Sequence, residues 1–324
     1  MKLPIIFHRK YDIGLFGLEN LHPFDSKKYG KVFRFLEEKE IIVGDNYFEP
    51  EEKASNETLL GVHTQEYLDS LKQSANVAKI AELGFLKMMP NFILQSNFLN
   101  PMRWATAGTI LAAELAMEYG WAINLSGGYH HAKSDRSSGF CFFADINLAA
   151  NHAFEKFPQV KKIMVIDLGA HQGNGFEAIF EKDPMVDVFD MYNGDIYPMD
   201  LKAAQYIRWK FPLDNGTGEI DYISILQNNL PKAIAESQPD LIIYNAGTDP
   251  YEKDPLGGLR ISAAGLVLRD EFVFKQATTK RIPIMMVLSG GYHPDSASII
   301  GSSINNLWNK GLLVGSKTIA ENEK

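Results

Sequence analysis

Along the chain, short apolar runs alternate with longer stretches whose apolar residues recur every three or four positions. The runs lie at 121–125, 163–168, 186–191, 241–244 and 284–288. They read as continuous rather than alternating, which marks strands buried on both faces of a parallel sheet. The stretches at 102–119, 146–157, 222–236, 262–278 and 295–309 predict helices. In one of them Tyr222, Ile225, Leu226, Leu230 and Ile234 keep helical spacing and so share an apolar face. This rhythm predicts an α/β fold, with a single central, mostly parallel sheet flanked by helices on both faces. No repeat, low-complexity tract or linker interrupts it. Residues 1–314 therefore read as one domain, followed by a polar tail over 315–324.

Composition narrows the class. With 45% apolar and 22% charged residues, the chain can bury a substantial core, and neither disorder nor a fibrous repeat is suggested. A net charge of -8 and a pI near 5.5 argue against a nucleic-acid binder, which needs a clustered basic face, and are compatible with a basic peptide substrate. The single cysteine, Cys141, excludes an intrachain disulfide framework and fits a reducing compartment. Set in Gly-Phe-Cys-Phe-Phe, it reads as a buried apolar thiol rather than a nucleophile. Leu3–Phe7 is too brief for a signal-peptide core, and no run approaches the roughly 20 apolar residues of a membrane span. A cytoplasmic protein is expected, with a nuclear role left open. The Asn-x-Thr triplets at Asn56 and Asn215 are then chance matches.

Chemistry gathers where the strands end. In an open parallel sheet, ligands bind outside the carboxyl ends of the strands. Ser126-Gly-Gly-Tyr-His130-His131 follows the first run, and the second leads through Asp167 to Gly169, His171 and Asn174. Asn245-Ala-Gly-Thr-Asp249 follows the fourth and Ser289-Gly-Gly-Tyr292 the fifth. Three of the eight histidines fall in these turns. A buried carboxylate and imidazole are costly unless something binds them, so four such strand ends together point to an active site. The Gly-Gly turns lack the lysine and spacing of a P-loop, and no dinucleotide fingerprint is present.

These segments resemble the arginase–deacetylase superfamily, and specifically class IV histone deacetylases. The matching stretches are Leu21-His22-Pro23-Phe24-Asp25, 121–145, 166–175, 192–198, 244–259 and 283–292. The likeness covers nearly the whole chain, and the Gln172-Gly-Asn174-Gly form selects class IV. It implies zinc-dependent hydrolysis of acyl-lysine side-chain amides, with a preference for long fatty acyl groups. A zinc ion would polarise the carbonyl and ionise water, held by three protein ligands with one position open. The family's ligands are Asp, His and Asp. The second and third map onto His171 and Asp249, and the first onto Gly169, which has no side chain to offer.

The resemblance also assigns the remaining roles. His131, facing Asn174, would act as general base and then general acid, while His130, paired with Asp167, would tune and orient. Tyr292 would donate its hydroxyl to the developing oxyanion. Gly139, Phe140 and Tyr197 would line a narrow channel around the lysine stem, with core packing the competing reading for Phe140. Asp167 would also contribute to a monovalent cation site, K⁺ by the resemblance, built mostly from backbone carbonyls. His63 and His22 read as structural, His152 and His293 as packing or surface residues, and Asp254 as closing a loop onto the sheet.

Gly169 leaves three readings open: a site inactivated by substitution, a site that holds zinc weakly with an extra water, or a binding pseudoenzyme. The leading function is a zinc-dependent lysine deacylase acting on acyl-lysine peptides or proteins. The alternatives are a catalytically dead acyl-peptide-binding module and an acetylpolyamine amidohydrolase.

Overall fold

The computed structural model describes residues 2–13, 25 and 27–313. The motif residues 21–24, with His22, and the tail at 315–324 lie outside the described residues. Seven strands form one sheet: β1 (Ile5–Ile6), β2 (Trp121–Asn124), β3 (Ile163–Asp167), β4 (Val186–Asn193), β5 (Trp209–Leu213), β6 (Leu241–Asn245) and β7 (Ile284–Val287). Their order is β1-β2-β7-β6-β3-β4-β5, and every pairing is parallel. The helices are α1 (Lys28–Glu38), α2 (Asn56–Leu60), α3 (Gln65–Ser70), α4 (Ser74–Ile80), α5 (Asn91–Leu94), α6 (Asn100–Tyr119), α7 (Asp145–Lys156), α8 (Asn174–Ile179), α9 (Glu219–Ser237), α10 (Ala263–Lys280) and α11 (Ser296–Asn309).

The continuous apolar runs form strands because both faces of the sheet are covered. Along β3, Met164 and Ile166 enter one core, together with residues of α1, α9, α10 and α11. Ile163 and Val165 enter the other, against α6, α7 and α8. Polar alternation would have exposed nothing to water here, so the strands dispense with it. Each central strand runs within a residue or two of its predicted span. Two strands were not predicted. β1 is only two residues long, and β5 is an edge strand whose burial alternates along Trp-Lys-Phe-Pro-Leu. Pro212 carries no N–H for a ladder, a defect an edge strand tolerates.

Strand order places the functional crevice. The chain leaves β3 for β4 on one side and leaves β6 for β7 on the other, although β3 and β6 are neighbours. Connections that diverge from adjacent parallel strands open a gap above their carboxyl ends. The register sets Asp167 opposite Asn245 at that gap.

A charged pair inside the core fixes the gap. Arg269 of α10 is fully buried. It donates to Leu168 O at 3.0 Å, just past β3, and to Gly247 O at 2.7 Å, just past β6. Its Nε donates to Asp270 at 2.9 Å, and Asp270 also accepts from Tyr244 and from Ser303 Oγ. Carbonyls beyond the strand ends have no ladder partner, and an unpaired buried carbonyl is costly; the guanidinium satisfies both at once. Removing one member of a buried ion pair typically costs 3–5 kcal/mol. Arg269→Met is accordingly expected to lower unfolding stability by about 3–5 kcal/mol, measured as a shifted urea midpoint at unchanged m-value.

Candidate active site

The turn after β2 is shaped by Asp145 at the start of α7. Its carboxylate accepts from Gly128 N and Tyr129 N, both at 2.8 Å, and from Thr109 Oγ1 at 2.7 Å. That grip presents His130 and His131 side by side, with ring centroids 4.2 Å apart and both side chains buried. Gly175 N donates to His130 O at 2.8 Å, tying the start of α8 to the same turn.

The two imidazoles have unlike partners. His130 Nδ1 lies 2.8 Å from Asp167 Oδ2, which also accepts from Asn245 Nδ2 at 2.9 Å. Burial disfavours the His130 cation, but the charge and hydrogen bond of Asp167 outweigh it and raise the pKa. His131 Nδ1 lies 2.8 Å from the neutral Asn174 Oδ1. There burial, helped by the neighbouring His130 and His171, holds the pKa well below the ordinary value. One ring therefore favours its cation and the other its neutral form.

Across the gap, His171 Nδ1 and Asp249 Oδ2 are 2.8 Å apart, and Asp249 Oδ1 accepts from Ala170 N at 2.9 Å. Burial opposes the Asp249 charge, yet the His171 hydrogen bond and charge take its pKa far below the carboxylate range. Tyr292 arrives on the turn after β7, its ring centroid 6.0 Å from that of His171. Its backbone N donates to Asp254 Oδ2 at 2.7 Å, while Asp254 Oδ1 accepts from Leu256 N and Gly257 N. Asp254 thus closes its own loop and anchors Tyr292. Burial and the nearby Asp249 charge raise the Tyr292 pKa well above the ordinary value, so its hydroxyl keeps its proton.

Gly169 sits between two carboxylates. A Cβ built there would lie 3.2 Å from Asp249 Oδ1 and 3.4 Å from Asp167 Oδ1. Its backbone is outside the left-handed region, so a side chain at 169 needs only a few tenths of an ångström of give. It would emerge facing Asp249, but glycine supplies no donor. Among the described residues, no group of three His, Cys, Asp or Glu side chains is arranged to hold a metal. His171 and Asp249 are two donors directed at each other, which falls short of a three-ligand zinc site.

The channel candidates surround His131. Gly139 has φ +57°, and a Cβ there would meet the His131 ring at 2.5 Å. Tyr197 packs edge-on to His131 at 5.2 Å and donates to Ser138 Oγ at 2.6 Å. Phe140 serves both readings: it packs against Phe98 and Phe142 in the core and lines a cavity with His130, His131 and Tyr292. Cys141 is buried, and its thiol pKa is raised strongly by that burial. His152 pairs with Glu114, and His293 accepts from Asp295 N.

Sequence reasoning missed Lys28, Arg269, Asp200 and Lys133. Lys28 is fully buried and donates to Ser289 O at 2.7 Å and Gly290 O at 3.0 Å, bracing the turn that carries Tyr292. Burial lowers its pKa to about 8, against the pull of Asp249. For Arg269 a signal exists: it shares an apolar stripe with Leu266, Val273 and Phe274, where a surface charge would not sit. Lys28, beside Val32 and Leu36, gives the same signal.

This sheet, with its site at the carboxyl ends, defines the arginase–deacetylase class of α/β fold. The HD domain of HDA15 shares it in a crystal structure, with a TM-score of 0.77 at 20% identity, over 97% of this chain and 89% of that one. A family profile described as the histone deacetylase domain matches residues 22–307. Histone deacetylase 2 of Arabidopsis thaliana is 47% identical over 312 residues, 96% of this chain and 80% of its own length. A probable deacetylase of Methanothermobacter thermautotrophicus is 30% identical over 204 residues, 60% of each chain. The chain belongs to the histone deacetylase family. No helix among the described residues is long and apolar enough to cross a membrane.

His63 shows its structural role through pH. Its Nδ1 lies 3.3 Å from Ser134 O and its Nε2 accepts from Ala144 N at 2.9 Å, which requires the neutral ring. Burial lowers its pKa to about 4, against 6.5 for the free side chain. The unfolded chain therefore takes up the proton first as pH falls. Stability is fully present above pH 6.5 and is lost between 6.5 and about 4, by roughly 3 kcal/mol from this group. His63→Gln, which retains an acceptor but does not titrate, is expected to flatten that part of the Tm-versus-pH curve.

Proposed function

We propose that the chain is built as a class IV lysine deacylase, a hydrolase of acyl-lysine side-chain amides whose metal centre is incomplete at residue 169. The observation that carries this reading is the convergence of two unlike histidines, the His171–Asp249 pair and Tyr292 on one crevice. Relatives named as histone deacetylases and as a probable deacetylase support acetylated protein as the substrate. The Gln172-Gly-Asn174-Gly motif supports the class IV assignment.

The chain's own residues divide the work. His131, neutral, accepts the proton of the attacking water and returns it to the departing amine. His130, held toward its cation by Asp167, orients the pair. Tyr292, protonated, donates to the oxyanion as the carbonyl becomes tetrahedral. Gly139, Phe140 and Tyr197 enclose the lysine stem and exclude water. In this fold Zn²⁺ supplies Lewis acidity and a more acidic water, but here only His171 and Asp249 offer donors. Asp167 is our candidate for the K⁺ site, shared with the donors it already accepts.

The cavity lined by Tyr29, Tyr129, Phe140 and Cys141 beside the histidines holds about 30 Å³. A water-sized group needs about 10–15 Å³ on this measure, so the cavity suits a short acyl group. A long fatty acyl chain requires its walls to move.

The test is zinc-supplemented hydrolysis of acetyl- and myristoyl-lysine peptides by this chain and by Gly169→Asp. Losing even an indirect partner of a metal ligand costs 10–100-fold, so the Asp variant is expected to gain at least about a hundredfold, or ~2.7 kcal/mol of barrier. Zinc should also raise its Tm by more than it raises that of the parent. A variant that binds peptide yet stays inert would make the protein an acyl-peptide-binding module. In the Gly169→Asp background, Tyr292→Phe should reduce turnover by about 10²–10³; in a binding module the same change would leave peptide affinity largely intact, with no turnover in either form.

A further inference from the structure

A hydrogen-bonded chain leads from His131 to the surface. Asn174 Oδ1 faces His131 Nδ1 at 2.8 Å, and Asn174 Nδ2 donates to Asp200 Oδ2 at 3.2 Å. Lys133 Nζ donates to the same Asp200 oxygen at 2.6 Å, and Ala203 N donates to the other at 3.1 Å. Gln172 clamps the Asp200 backbone, accepting from its N at 3.0 Å and donating to its O at 3.1 Å. Burial opposes the Asp200 charge, but Lys133, Ala203 N and Asn174 hold its pKa down to about 2.

The arrangement answers a problem that His130 does not have. Asp167 can only accept, so His130 Nδ1 must carry a proton toward it. An amide partner is ambiguous: one end accepts, the other donates, and a half-turn exchanges them. Turned round, Asn174 would donate to His131 Nδ1 and place the ring proton on Nε2, blocking the lone pair needed in the crevice. It would also set its own oxygen against the Asp200 carboxylate, which can only accept. We propose that Asp200, fixed by Lys133, is a positioning residue that locks the Asn174 amide and thereby keeps His131 as the Nδ1–H tautomer. The inference rests on reading His131 as the proton acceptor, but the tautomer exists whether or not the chain turns over substrate.

Long-range ¹H–¹⁵N correlation on ¹⁵N-histidine-labelled protein reads it directly, at about pH 8 where free imidazoles are neutral. His131→Gln assigns the signals, and neither substrate nor metal is added. The parent is expected to show a single Nδ1–H pattern for His131. Asp200→Ala should lose it in favour of Nε2–H or a mixture. Asp200→Ala with Asn174→Asp should recover it, because a carboxylate at 174 can only accept. An unchanged pattern in Asp200→Ala overturns the proposal. So does loss from both variants, which would indicate a general disturbance of the turn rather than a released amide. Recovery in the double variant alongside an inert Gly169→Asp enzyme would leave the positioning role standing and the hydrolase reading failed.

Discussion

The buried guanidinium of Arg269 is the constraint on which the site depends. Parallel strands end in carbonyls that no ladder satisfies, and β3 and β6 end side by side where their connections diverge. Arg269 takes one carbonyl from beyond each strand, and Tyr222 donates to the first of them at 2.7 Å. The segments held there are those that go on to His171 and Asp249. A cation in the core is expensive, and Asp270 offsets it with a 2.9 Å hydrogen bond. The gain is geometric, since the spacing of the two strand ends sets the spacing of the donors above them.

A second constraint acts on the opposite side of the crevice. His130 and His131 are adjacent in sequence and equally buried, yet their pKa values move apart. The backbone cannot distinguish them; their partners do. A carboxylate stabilises the cation of one ring, and an amide leaves the other to the desolvation that burial imposes. Groups driven apart in this way can hold a proton and accept one at the same pH. Lys28 and Asp254 extend the principle to Tyr292, since both act on the turn through backbone atoms and leave its side chain directed at His171.

Much of this was legible in the chain. Continuous apolar runs identified β2, β3, β4, β6 and β7, because strands covered on both faces need no polar alternation. β5 escaped because an edge strand alternates and can carry Pro212, and β1 because two residues make no pattern. Strand-end motifs located His130, His131, His171, Asp249 and Tyr292, since glycine-rich turns after buried strands are local in sequence. What joins them is not local. Asp200 reaches Asn174 across 26 residues, and Arg269 reaches Leu168 across 101. Such pairings leave no periodicity. Their trace is a charged residue on an apolar helical stripe, a signal present at Lys28 and Arg269 and absent at Asp200.

Gly169 is intelligible within these electrostatics. A carboxylate at 169 would start from a Cβ 3.2 Å from Asp249 Oδ1 and 3.4 Å from Asp167 Oδ1. Without a cation, such crowding of like charge in a buried site is destabilising; with a dication between the carboxylates it becomes the basis of tight binding. Glycine removes both effects together. Across the gap, His171 and Asp249 are hydrogen-bonded to each other. Relative to a carboxylate at 169, glycine therefore spares the buried site the repulsion that a third acidic side chain beside Asp167 and Asp249 would add. A carboxylate at 169 would set the stability of the ion-free site against its affinity for a cation, and glycine carries neither effect.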